Sequence, residues 1–282
     1  MNALNAAKRA AITTEIGQLS QALEEFKLKY GAYPPNVFPN SSSLLGLTNV
    51  EKKLNANNVV RFLRKSHNRS TELFTNLGTN PPSRNDKDQS NITDPGVDNV
   101  FPIYDVGLRP SEALVLWLMG FSSDPTRPLS GSDLEVTTIR DEVANSDIND
   151  VITFDSFDAP LFDFDKGRLR MSRNSDNSRR VLIVYGSGNA VPAFLQLYEY
   201  FPKGSQQPYV YFNTVDSPQS IVTNWVTEEF FYESPMDSKQ IVYPVKKMKA
   251  SSPANRPSPE VQFVEYVNQG KFQILHAGLD DA

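Results

Sequence analysis

The chain has 282 residues, 39% apolar and 11% aromatic, and its 28 basic and 33 acidic side chains leave a net charge of −5. That length is enough for one large domain or two small ones with a real core, and the acidic balance speaks against general nucleic-acid binding, which needs a basic face to displace counterions. The absence of cysteine excludes disulfides, thiolate catalysis and Cys-ligated metal.

The first predicted element organises the rest. Ile12, Ile16, Leu19, Leu23, Phe26 and Tyr30 recur at steps of three and four, which is one apolar stripe on an α-helix. Gln18, Gln21, Glu25, Lys27 and Lys29 turn away from it. The six stripe residues are therefore the expected contacts between this helix and the remainder of the fold. Its end is marked: Gly31 suits the left-handed position just past a helix, and Pro34-Pro35 cannot continue one. Its beginning is not, because the pattern reaches back toward Leu4 with no cap. A helix that starts in mid-stride is expected to be the lower part of a longer one.

The run LSQALEEFKLKYGAYPP resembles the soluble part of type IV pilin-like proteins. It is most similar to the major pseudopilins of type II secretion, where a segment of the form ALxxYKxxxGxYP closes the N-terminal helix. Ala22, Leu23, Phe26, Lys27, Leu28, Gly31, Tyr33 and Pro34 occupy the matching places, which makes Gly31, Tyr33 and Pro34 the expected helix-termination residues. The family's apolar membrane half-helix and its Gly-Phe cleavage motif do not occur in this sequence. An ordinary amphipathic helix on an unrelated core remains the alternative at this point.

Further along, Val50 to Arg64 reads as a second helix, and residues 79–102, dense in Pro, Asn, Asp and Ser, read as a long loop. Pro110-Ser111-Glu112 opens a short apolar helix over Ala113 to Met119, capped by Ser111 and stopped by Gly120. The run Ala113 to Phe121 is the longest apolar one, far short of the roughly 20 residues that span a bilayer. Residues 151–170 alternate aromatic or aliphatic side chains with Asp, the pattern of a half-exposed strand turning at Lys166-Gly167. Strands are also expected at Val181 to Tyr185, Tyr209 to Phe212, Val261 to Val267 and Phe272 to Leu275. The segments at Pro110 to Phe121, Pro208 to Phe212 and Gly270 to Asp281 extend the resemblance to the middle and end of the chain. About half of the sequence has no counterpart in a compact pseudopilin.

Chemistry-bearing patterns are sparse. His67 lies in a charged segment and reads as a solvated side chain, whereas His276, near the end of the last expected strand, reads as structural. No G-x-S-x-G elbow, HExxH or Walker A motif is present. Strand 181–185 followed by Gly186-Ser187-Gly188 has the outline of a dinucleotide-binding turn leading into a helix from Pro192. Val191 stands where its third glycine would be needed. Asp155, Asp158, Asp163 and Asp165 offer oxygen ligands but lack the spacing of a calcium loop. The resemblance adds that major pseudopilins bind calcium in a C-terminal Asp- and Gly-rich loop. Only Gly278, Asp280 and Asp281 of such a loop precede Ala282, so no metal or cofactor is assigned and calcium stays an open alternative.

The expected fold is α+β: a long N-terminal helix packed on an antiparallel sheet in the pilin manner, with large loop insertions. Residues 1–30 are the lower half of a stalk helix, and residues 31–282 are a head belonging to the same domain. The resemblance implies a non-enzymatic subunit anchored in the inner membrane through a segment absent from this sequence, with its head extracytoplasmic or periplasmic. Its partners would be copies of itself, other pseudopilins and inner-membrane secretion components. Without that anchor the chain is expected to be a soluble monomer. Two alternatives stay open: a nucleotide-binding enzyme built on 181–192, and a ligand-binding module displayed on a pilin-type stalk.

Overall fold

Helix α1 (Asn2–Tyr30) forms where the apolar periodicity lies and runs for 29 residues, about 43 Å at 1.5 Å per residue. In the computed structural model the described residues are 2–35, 62–63, 65–69, 108–131, 135–141, 146–157, 159–173, 179–184, 193–213, 232–233, 241–242, 245–248, 264–268 and 270–276. Leu19, Ala22, Leu23 and Phe26 of α1 are buried, and Ile12, Ile16 and Tyr30 pack partly buried against the same core. Toward the N-terminus the burial stops: residues 3–11 are exposed except for half-buried Lys8. Lys27 and Lys29 in the last turn suit the negative end of the helix dipole. Gly31 follows at φ +78°, and its N–H reaches Lys27 O at 2.8 Å, a left-handed cap that a side chain would strain.

Helix α2 (Pro110–Leu118) is buried along its whole length, as its nearly all-round apolar sequence requires. Its cap differs from the expected one. Arg109 is the capping position, Pro110 opens the first turn, and Glu112 bends back to accept from Arg109 N at 2.8 Å. Ser111 is already inside the helix, and its hydroxyl donates to Glu199 instead. Gly120 stops the chain at φ +97°; a Cβ there would sit 2.6 Å from Ala159 O, so only glycine fits.

Strands β1 (Val136–Asp141), β2 (Ser146–Ile152), β4 (Val181–Val184) and β5 (Ala193–Gln196) form one sheet in the order β1-β2-β5-β4. Its pairs are antiparallel except β2 with β5, which is parallel. Strand β6 (Tyr198–Tyr200) continues from β5 and pairs antiparallel with β3 (Leu169–Met171). Leu197, between them, is a corner: its N–H bonds Arg180 O at 3.1 Å and its carbonyl accepts from Ser172 N at 2.8 Å. Strand β7 (Val210–Asn213) pairs antiparallel with β12 (Phe272–Leu275). Two further antiparallel pairs join β8 (Tyr232–Glu233) to β9 (Ile241–Val242) and β10 (Lys246–Met248) to β11 (Val264–Tyr266). Gln273 of β12 links this last pair to β7–β12, because its side-chain amide bonds Val245 N, Val245 O and Val267 O at 2.7 to 2.9 Å. The class is α+β, built from several small, mostly antiparallel sheets. Helix α1 lies against α2 and β12, and α2 lies against β6 and β7.

Two further sequence expectations fail. The described residues of 153–168 are not a strand; they hold two short 3-10 turns, Phe154–Ser156 and Lys166–Arg168, and Asp158 lies outside the described residues. Alternation arises here because Phe154 and Phe164 turn inward onto Tyr198 and Tyr200, while Asp165 caps the second turn by accepting from Gly167 N at 3.0 Å. The residues that follow Pro192 are not helical either. Ala193–Gln196 is a strand that runs back antiparallel to β4. Of the expected second helix, only Phe62 and Leu63 are described, and both are helical and buried.

Candidate functional site

The best-constructed region is the junction at which the second half of α1 meets the rest of the chain. The six stripe residues all belong to it. Leu19, Leu23 and Phe26 have no exposed surface, and Phe26 sits among Tyr30, Phe62, Trp117 and Phe121 at centroid separations of 4.6 to 6.5 Å. Burying one such side chain contributes roughly 1.5–3 kcal/mol, so these residues dominate the attachment.

A polar bolt holds the end of the helix. The segment after Gly31 dives inward, and Tyr33, Pro34 and Pro35 are buried. Pro34 O accepts from Tyr211 Oη at 2.8 Å and from Asn213 Nδ2 at 2.9 Å, while Pro35 O accepts from Trp117 Nε1 at 2.9 Å. A proline lacks an N–H, so these carbonyls are the only backbone groups here that need partners, and β7 and α2 supply them. Tyr33 Oη donates to the Glu24 carboxylate at 2.9 Å; burial and that carboxylate push the phenol up to about 12. Gly31, Tyr33 and Pro34 thus sit together at one corner of the junction.

A second anchor lies four turns earlier, on Glu15. Its carboxylate accepts from Arg168 Nη1 at 3.0 Å, from Tyr200 Oη at 2.8 Å and from Tyr209 Oη at 2.6 Å, and Arg168 Nη2 pairs with its other oxygen. Arg168 also stacks on the Tyr200 ring at 4.4 Å. Burial, with the Glu15 carboxylate beside it, raises the Tyr209 phenol well above its ordinary value and keeps it a donor. The sequence reading missed Glu15, although a signal was there: an acidic residue sits between Ile12 and Ile16 on the edge of the apolar stripe.

Beneath α2 lies a buried ionic cluster. Glu112 has no exposed surface and accepts from Arg180, Ser172 and Arg109 N, with the Arg109 guanidinium 3.9 Å away. Burial alone would raise its carboxyl, but Arg180 and Arg109 hold it below the usual carboxylate range. Glu199 goes the other way: burial and the charge of Glu112 push it up against the pull of Arg109, Ser111 and Arg180. Such an arrangement fixes the placement of α2 more surely than it adds stability.

The two histidines make local packing and hydrogen-bond contacts. His67 is packed between Tyr30 and Phe121, and His276 bonds Ser205 Oγ at 2.9 Å inside a tight turn in which Ser205 also bonds Gln207. Asp155 pairs with Lys166, and Asp163 and Asp165 are exposed and share no strand. Among the described residues no group of three or more potential ligands is placed to hold a metal ion. Gly186, Ser187, Gly188, Val191, Gly278, Asp280 and Asp281 lie outside the described residues. A dinucleotide turn at 181–192 would lead into a helix, whereas Ala193–Gln196 is a strand antiparallel to β4. Among the described residues no helix is long and apolar enough to cross a membrane. No protein-family model matches this chain, and no curated protein or solved structure matches it.

Proposed function

We propose that this chain is a non-enzymatic structural subunit of a type II secretion pseudopilus or a related pilus-like filament, assembling through helix α1. One observation carries the reading. From Ile12 onward α1 is attached to the head by its apolar stripe, Glu15, the aromatic cluster and the Pro34–Pro35 carbonyls, while residues 3–11 are exposed except for half-buried Lys8. An isolated helix of that length is marginal in water, so an exposed helix end on a fixed head fits a part that other copies cover. A head on one side of a rod and neighbours on the other make a heterologous contact, which builds helical filaments rather than closed rings. The resemblance of residues 19–35 supplies the identity of the filament, and with it an inner-membrane anchor, an extracytoplasmic head and other pseudopilins as partners.

The test is the mature N-terminus of the native protein recovered from membranes, read by peptide mass spectrometry. The expected result is a methylated apolar residue heading a segment of about 20 apolar residues that runs into Asn5. A native chain that begins at Met1 and is recovered without membranes overturns the proposal.

A further inference from the structure

We infer that the contact between α2 and β6 is a proton-coupled latch: Glu199 carries a proton while α2 is seated on it and gives that proton to solvent when α2 lifts. The inference rests on the cluster under α2 and stands whether or not the chain assembles into a filament. Glu112 and Glu199 are both buried there, one in the first turn of α2 and the other on β6. The cations of the cluster are engaged by Glu112. Arg180 approaches it side-on, with Nε 2.5 Å from Oε1 and Nη2 3.0 Å from Oε2. Arg109 supplies its backbone N–H at 2.8 Å, and its guanidinium, 3.9 Å from the carboxylate, also donates to Arg173 O at 2.7 Å. What α2 offers Glu199 is a hydroxyl, Ser111 Oγ, at 2.5 Å. Where two carboxylates share one dry site, a proton stays on the one that the cations serve less. Burial raises the Glu199 carboxyl above its ordinary value; Arg109 opposes this, the Glu112 charge adds to it, and Ser111 and Arg180 oppose it again.

The other charges around β6 face elsewhere. Arg170 stands across the ladder from Glu199, but it is exposed, stacked on Phe201 at 4.2 Å and bonded to Gln206 Oε1 at 3.2 Å. Asp155 and Arg179 act on Tyr198, and Glu15, Arg168 and Tyr209 gather at Tyr200. Tyr198 and Tyr200 alternate with Glu199 along the strand and point to its opposite face. Lifting α2 exposes Glu199 to water, where a glutamate loses its proton above 4.5. The latch is therefore most secure below 4.5, and each pH unit above that makes lifting about tenfold easier until the seated carboxyl itself ionises. Glu112, held low by its cations, loses its contribution only as pH falls below 4.5, so the two windows lie on opposite sides of that value. Because α2 carries Trp117, which bonds Pro35 O and packs on Phe26, the latch also governs how firmly the end of α1 is gripped.

Glutamine has the shape of a protonated glutamate and cannot ionise, so Glu199→Gln removes the proton step and leaves the contact. Urea unfolding of both proteins between about pH 5 and about pH 8 gives the ratio of their unfolding constants, from which His67 and the surface carboxylates cancel. The ratio of parent to variant should climb about tenfold per pH unit from the lower end before it levels. Amide hydrogen exchange over residues 110–118, compared at the same pH, should be faster in the parent by a factor that grows with pH. A ratio that stays flat means that Glu199 titrates as an ordinary carboxylate, one that falls means that it is the ionised member, and either overturns the latch. Exchange over 110–118 that is alike in the two proteins overturns it as well. Should Glu199→Gln not fold, the infrared spectrum of the parent at about pH 7 decides, because ordinary Asp and Glu are ionised there. A protonated carboxylic-acid band supports the latch, and its absence overturns it.

Discussion

His67 shows how a single side chain reports on the junction. Its ring lies 4.6 Å from Phe121 and 5.5 Å from Tyr30 by centroid, its Nδ1 is 3.0 Å from Ser66 Oγ, and Lys29 is the charge that faces it. Burial, and then Lys29, lower its pKa from 6.5. A base whose folded pKa is lowered takes up its proton more readily in the unfolded chain, so stability falls as pH drops through 6.5 and levels off below the folded value. Melting should therefore occur at a lower temperature at about pH 5.5 than at about pH 7.5, and His67→Phe, which keeps the ring contacts, should remove most of that difference. Parallel pH profiles for the two proteins would show that His67 takes no part. This role was invisible in the sequence, where RKSHNRS read as a charged, solvated segment. Neither Tyr30 nor Phe121 is near it in the chain.

At the scale of elements, the legible feature was periodicity on a long helix. Leu19, Leu23 and Phe26 stand in the core because three- and four-residue steps leave them no other face. The same argument separates two leucines five residues apart. Leu23 has no exposed surface, and Leu28 is 85% exposed. Leu23→Ala should cost about 3 kcal/mol in urea unfolding through lost burial and the cavity it leaves, and Leu28→Ala should stay within about 0.5 kcal/mol of the parent. Equal costs would mean that α1 is rotated about its axis. The 151–170 segment was misread because alternation does not distinguish a strand from irregular chain whose phenylalanines reach an aromatic cluster. The polar half of the junction was illegible for a different reason. Glu15 finds Arg168, Tyr200 and Tyr209 more than 150 positions away, and Trp117 finds Pro35 across 82. No local pattern encodes such pairs.

For the whole molecule, the proposed filament would separate stability from assembly along α1. The head's attachment uses the inward stripe from Ile12 onward, Glu15 and the Pro34–Pro35 bolt. Ala7 and Ala10 belong to none of these, and both are exposed. Replacing both by arginine should leave the urea midpoint of the head unchanged, because surface changes away from caps and pairs move stability by no more than about 0.5 kcal/mol. If the rod is the surface that other copies cover, the same variant should lose assembly, since two long cations cannot be accommodated where small side chains let helices approach closely. The readout is disulfide cross-linking in membranes of the full-length protein carrying Gln21→Cys and Lys203→Cys, with and without the two arginines. Cross-linked multimers in the parent that vanish in the variant, at equal stability, place the filament contact on the exposed N-terminal part of α1. Multimers that persist would put the contact on the head, and the exposed rod would then need another explanation.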